Sequence, residues 1–181
     1  MEDMADSTAA DAHGHVEDGP RPGGHSTREA LLFGGVYGSV LASSMVAALT
    51  RYGASTPATR RYDALWLLVT ALASALAHGY AHYIAERTPH RRWDGLRALR
   101  NEWPLVAAVV PTVFLLAGAG WGWWPAKGVE YPAFTLNIVI LFTLGLTTAR
   151  QAARPWPAAV LMGLGDALLG LIVVVANALI K

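Results

Sequence analysis

The sequence has no cysteine, so disulfides, thiolate catalysis and cysteine-based zinc or iron–sulfur sites are excluded. Charge is nearly as scarce: 15% of the 181 residues are Asp, Glu, Lys or Arg, against about 25% in soluble domains, while 54% are hydrophobic. A net charge of +1 lacks the basic surplus that holds a phosphate backbone, so no nucleic-acid partner is expected. The missing charges are missing in blocks. Ala30–Thr50, Ala64–Ala85, Trp103–Ala126 and Tyr131–Ala149 contain none, and Pro155–Ile180 contains Asp166 alone.

These stretches run 21, 22, 24, 19 and 26 residues, and a helix needs about 20 apolar residues to cross a hydrocarbon core of about 30 Å. The fold read from them is an all-α membrane protein with five transmembrane helices, over about 30–50, 64–85, 103–126, 131–149 and 155–180. Residues 29–181 form that domain, with the lipid bilayer as its partner. A tail and four short loops remain, too little for a soluble catalytic domain, and no Ser–His or metalloprotease spacing occurs; an enzyme is not expected.

Residues 1–28 carry six acids (Glu2, Asp3, Asp6, Asp11, Glu17, Asp18) and three histidines, with almost no large apolar residue. Such a segment buries too little surface to offset its ordering entropy, so it reads as a disordered tail. His13-Gly14-His15 suits a loosely held metal or, more simply, a solvated tail. Ser26 followed by Glu29 fits a capping box that starts the first helix.

Lys and Arg set the orientation. With the N-terminus inside, the inner segments hold nine (Arg21, Arg28, Arg87, Arg91, Arg92, Arg97, Arg100, Arg150, Arg154) and the outer segments five (Arg51, Arg60, Arg61, Lys127, Lys181). N-inside, C-outside in the cell membrane is the expected topology. Trp121, Trp123, Trp124 and Tyr131 at one side and Trp93, Trp103 and Trp156 at the other suit headgroup depth. Trp93, Leu96 and Leu99 lie at helical spacing among arginines, which fits a short surface helix or a solvated basic loop.

Inside a bilayer, each ionisable residue is expensive and usually faces a partner or a water-filled path. The second helix places His78, His82 and Glu86 four apart, hence on one face. Two imidazoles one turn apart suit a first-row transition metal, a proton relay, or hydrogen bonds to neighbouring helices. In the fifth helix Gly163, Asp166, Gly170 and Asn177 share a stripe, and Asp166 lies about 16 Å deep, near the centre. It reads as a proton or cation site, or as a neutral packing contact.

Gly34, Gly38 and Ala42 form a small-residue stripe in the first helix, expected to pack helices closely and, in so small a protein, to serve as a dimer face. Tyr37 reaches about the same depth as His78, about 10 Å from the inner end, so the two are placed to meet. Asn137 and Asn177 read as interhelical hydrogen-bonding groups, and Pro111, well inside a span, is expected to kink the third helix or free a carbonyl.

The pattern resembles the vacuolar iron transporter family in its compact microbial form. The resemblance runs over about residues 28–181: the Arg28-Glu29-Ala30 start, five helices, N-inside topology and a basic turn before the last helix. That family carries Asn-Asp-Gly in its first helix, where this chain has Val36-Tyr37-Gly38. Its second helix carries a Met and, four residues on, the Glu of Gly-Glu-Tyr; these places hold His78 and the His82 of Ala81-His82-Tyr83. The family's Glu-rich cytoplasmic helices are replaced by the short basic loop Arg87–Arg100. The resemblance implies a homodimer with a metal path at its interface and a changed or lost ion selectivity.

The functional expectation is a small transporter moving a divalent transition metal out of the cytoplasm, coupled to protons, with His78, His82, Asp166, Tyr37 and Glu86 as its metal site. No permanently bound cofactor is expected. The alternative is a membrane scaffold or accessory subunit of related fold whose polar residues only fix packing.

Overall fold

The computed structural model of the chain describes residues 27–52, 55–85 and 100–179. The expected disordered tail, the Ser26 cap, Glu86 and the surface helix through Trp93, Leu96 and Leu99 fall outside these residues. Among the described residues, five long helices are formed: α1 Thr27–Tyr52, α2 Pro57–Ala85, α3 Trp103–Gly120, α4 Glu130–Gln151 and α5 Trp156–Leu179. All five are long and apolar enough to cross a membrane, and no strand occurs among the described residues.

Two boundaries depart from the uncharged runs, each for a local reason. Helix α2 begins seven residues before Ala64. Thr56 caps it, its Oγ1 accepting the Thr59 N–H at 3.2 Å, and Pro57 takes the first helical position, where a missing N–H costs nothing. Arg60 and Asp63, expected to lie in a loop, are therefore helical. Helix α3 stops at Gly120 although the apolar run continues to Ala126. The Trp123 N–H donates to the Gly118 carbonyl at 2.9 Å and the Gly122 N–H to the Ala119 carbonyl at 3.3 Å, with Gly122 at φ +80°. These are the paired bonds of a Schellman ending, with glycine at its left-handed position. Trp124 then folds back over Gly118, its Nε1 donating to the Leu115 carbonyl at 3.0 Å. Pro111 sits inside α3, which continues through it.

Helix α4 ends by the same device with a different residue. Arg154 N–H donates to the Ala149 carbonyl at 3.0 Å and Ala153 N–H to the Arg150 carbonyl at 3.1 Å, but the left-handed position is Ala153, at φ 55°. Arg150 braces this turn, donating to the Arg154 carbonyl at 2.8 Å while its guanidinium lies 4.4 Å from the centre of the Trp156 ring.

Consecutive helices run antiparallel. Gly120 of α3 lies against Pro57 and Arg61 at the start of α2, and Gly145 of α4 against Gly163 of α5. Helix α1 is the centre of the bundle, in contact with the other four. The proximal end, where α1 begins, therefore also holds Ala85, Trp103, Gln151 and Trp156; the distal end holds Tyr52, Pro57, Gly120, Glu130 and Leu179.

The interior is built from Ala42 and Val46 of α1, Leu67 and Ala71 of α2, and Leu105, Val109 and Leu116 of α3. The exterior is equally apolar. Leu65, Val69, Leu72 and Leu76 form an exposed stripe on α2, and on α5 Leu161 is 71% exposed. Contiguous apolar surface of this extent does not suit water, and it matches hydrocarbon as the surrounding solvent.

The small-residue stripe of α1 is consumed inside one chain. A Cβ added at Gly34 would stand 2.7 Å from the Leu105 backbone nitrogen, and one at Gly38 would stand 2.5 Å from the Leu105 carbonyl oxygen. Ala42 is fully buried. The face expected to meet a second copy instead seats α3, because glycine lets two backbones approach where lipid gives apolar side chains no reason to associate.

Two stability outcomes follow from these contacts. Gly38→Leu is expected to lower the thermal midpoint in mild detergent, because Leu105 is backbone that cannot step aside. A variant with unchanged melting but a halved mass by light scattering would return the stripe to an intermolecular role. Ala153→Gly relieves a left-handed alanine, worth about 1 kcal/mol, and should raise the midpoint by about 2–4 °C.

Candidate functional site

Turning the glycine face of α1 toward α3 turns its aromatic face elsewhere. Leu32, Phe33, Val36, Tyr37 and Val40 line a groove of about 440 Å³, closed by Leu144, Gly145 and Thr148 of α4 and Met162 and Asp166 of α5. Asp166 lies ten residues past Trp156, about 15 Å along α5. Its carboxylate rests on Gly145, where an added Cβ would be 2.5 Å from Oδ2. Glycine at 145 thus gives the carboxylate its place, and Gly163 lets the two helices close around it.

Tyr37 joins this groove to α2. Its ring centre is 4.9 Å from that of His78, edge to face, while Phe33 stacks on Tyr37 at 6.2 Å and meets His78 edge-on at 6.0 Å. The equal depth expected for Tyr37 and His78 is thus a ring contact. His78 Nδ1 lies 3.0 Å from the Ser74 carbonyl oxygen, which can only accept, so Nδ1 carries a proton and Nε2 is the nitrogen whose lone pair the neutral ring offers.

His82, one turn nearer the proximal end, is drawn away from this group. Its Nε2 stands 3.8 Å from Oε1 of Glu102, a buried carboxylate just before α3 that the sequence reading passed over. His82 thus faces α3, His78 faces α1, and Asp166 lies across Tyr37 in the groove. The five expected ligands do not form one ladder: Glu86 lies outside the described residues, and among the described residues no three His, Asp or Glu side chains converge on a metal position. The Asn177 side chain also lies outside the described residues.

Two polar clusters hold the scaffold around these groups. At the distal end Arg60, 2% exposed, donates through Nε to the Ala126 carbonyl at 2.9 Å, through Nη1 to Asp63 at 3.2 Å, and through Nη2 to Ser55 Oγ and Glu130, each at 3.2 Å. One guanidinium thereby ties α2 to the α3–α4 loop and to the first turn of α4. Its planar fork suits this use, since five donors in fixed geometry can reach separate acceptors at once. In mid-bundle, Thr112 Oγ1 donates to Asn137 Oδ1 at 2.9 Å, linking α3 to α4 as expected of Asn137.

Arg60 was legible in the sequence only as a loop charge counted for topology; Thr56-Pro57 is the signal that places it on a helix. Arg60→Ala leaves Asp63 and Glu130 without their cation, and breaking a buried pair in this way costs about 3–5 kcal/mol. Thermal unfolding in detergent should register that loss, with a smaller one for Asp63→Asn, which keeps Glu130 and the Ala126 carbonyl on the guanidinium. Equal melting of Arg60→Ala and the parent protein would show the cluster to be dispensable. Comparison with family models, curated proteins and solved structures finds no significant match to this chain.

Proposed function

We propose that the chain is a small multi-pass transporter of the cell membrane, N-inside and C-outside, that carries a cation through the region between Asp166, Tyr37 and His78. One observation carries this reading: an ionisable carboxylate at mid-span opens into a groove whose other wall, Tyr37, touches an imidazole on a third helix. A carboxylate at that depth is costly to insert, and such residues generally serve a partner or a path.

The cargo favoured by the sequence is a divalent transition metal moved out of the cytoplasm in exchange for protons. His78 Nε2 suits such an ion, as neutral imidazole favours Zn, Fe, Ni or Cu over Mg or Ca. The likeness to the vacuolar iron transporter family supports the same cargo, and the homodimer it implies would bring further ligands to each metal.

A scaffold without transport is the second reading. The interior polar groups favour it, since Thr112 bonds Asn137 and Arg60 is held by Asp63 and Glu130 as a tie between elements. Liposome flux separates the two. Metal and proton movement recorded together should be abolished by Asp166→Asn and by His78→Ala, with the variants still inserted. Metal uptake by the parent protein should fall on acidification, because protons compete for the same lone pairs. If the parent protein moves neither first-row metals nor protons, transport is wrong; if both variants keep full flux, the path lies elsewhere.

A further inference from the structure

We infer that the groove between α1, α4 and α5 is a binding site for a lipophilic organic cation, of the quaternary ammonium or phosphonium class. The site shares Asp166 and Tyr37 with the proposed transport path, and in that respect the inference rests on that reading and adds a second class of cation to it.

The lining makes the case. Leu32, Val36, Val40, Leu144 and Met162 give apolar walls, and a volume of about 440 Å³ lies within the range of pockets that hold small molecules. Two aromatic side chains stand in one wall, Tyr37 at 37% and Phe33 at 55% exposure, their rings stacked within 12° of parallel. Among the described residues, the single carboxylate in the lining is Asp166, and no Lys, Arg or His lines it.

This combination selects among ligands. A hydrated metal ion gains nothing from leucine and valine walls, and an acyl chain leaves the carboxylate without a partner. A delocalised or alkylated cation meets both demands: its apolar groups fill the walls, its charge faces Asp166, and the rings of Phe33 and Tyr37 add the attraction of a quadrupole for a cation. Such a cation has few bound waters to lose, so it enters a low-dielectric groove at a lower desolvation cost than a small hydrated ion. The carboxylate in turn gains a counter-ion without a buried lysine or arginine.

Placement supports the same ligand class. The groove lies in the proximal half of the bundle, reached from Leu32 and Thr148 near the helix ends down to Asp166. Molecules that partition into a bilayer at that depth carry an apolar body and one polar group, as the groove does in complement.

The test uses the full chain in nanodiscs of zwitterionic phosphatidylcholine, with tetraphenylphosphonium as probe and tetraphenylborate as a control of the same shape and opposite charge. Saturable phosphonium binding is expected, with borate unable to displace it. Asp166→Asn should weaken the phosphonium at least tenfold, and Phe33→Leu or Tyr37→Leu about threefold to tenfold, the range of a cation–π contact. Equal binding of the two ions, displacement by borate, or unchanged affinity in Asp166→Asn would overturn the inference. Should Asp166→Asn fail to fold, Phe33→Leu decides: its ring is largely exposed, and unchanged phosphonium affinity there overturns the inference too. Metal flux without phosphonium binding rejects the groove site and leaves transport standing; phosphonium binding without any cation flux keeps the site and rejects transport.

Discussion

The arrangement of this bundle depends on the close approach of α1 and α3 at Gly34 and Gly38. In hydrocarbon, a leucine gains nothing by leaving lipid for another helix, so association rests on van der Waals contact and buried polar bonds. Glycine supplies the first by bringing the Leu105 backbone to where a side chain would stand. With that face committed, the rest of α1 has no choice of direction: Phe33 and Tyr37 must point toward α2, α4 and α5. The aromatic wall of the groove and the contact with His78 are the other side of the glycine contact.

The same logic repeats on α4 and α5, with a different result. Gly145 and Gly163 meet across the hairpin, and the space the glycine leaves at 145 is taken by a carboxylate. Arg60, buried, and Asp166, half-buried, therefore mark two opposite treatments of an ionisable group within the bundle. At the distal end one arginine meets two carboxylates, a hydroxyl and a carbonyl, and is spent on holding elements together. Asp166 keeps a face toward an apolar groove, which leaves its carboxylate open to a ligand as the carboxylates of the richer cluster are not.

Sequence alone carried the five long apolar helices found among the described residues, because uncharged runs of about 20 residues have few physical alternatives to a membrane-spanning helix. It carried the meeting of Tyr37 with His78 as well, since rise per residue fixes depth. Residues 121–126 were less legible: their tryptophans extend the apolar run, and the ending depends on Gly122 taking a left-handed turn. Arg60 was hidden for the reverse reason, as its charge argued for a loop while Thr56-Pro57 argued for a helix. Which neighbour receives the stripe of Gly34 and Gly38, another copy or α3, is a matter of tertiary packing that spacing does not encode. His82 turned toward Glu102 for the same kind of reason, since helix spacing fixes a face but not what stands opposite it.

The early ending of α3 has a consequence for the surrounding lipid. Its 18 residues reach about 27 Å, whereas the 22 uncharged residues of α2, Ala64–Ala85, reach about 33 Å. Two neighbours of such unequal length cannot both stand upright and match one hydrocarbon slab of about 30 Å. The longer helix must lean or protrude, and the shorter one draws the leaflets together. In a bilayer, the turn at Gly122 and the fold-back of Trp124 therefore set how far one leaflet is drawn in beside α3.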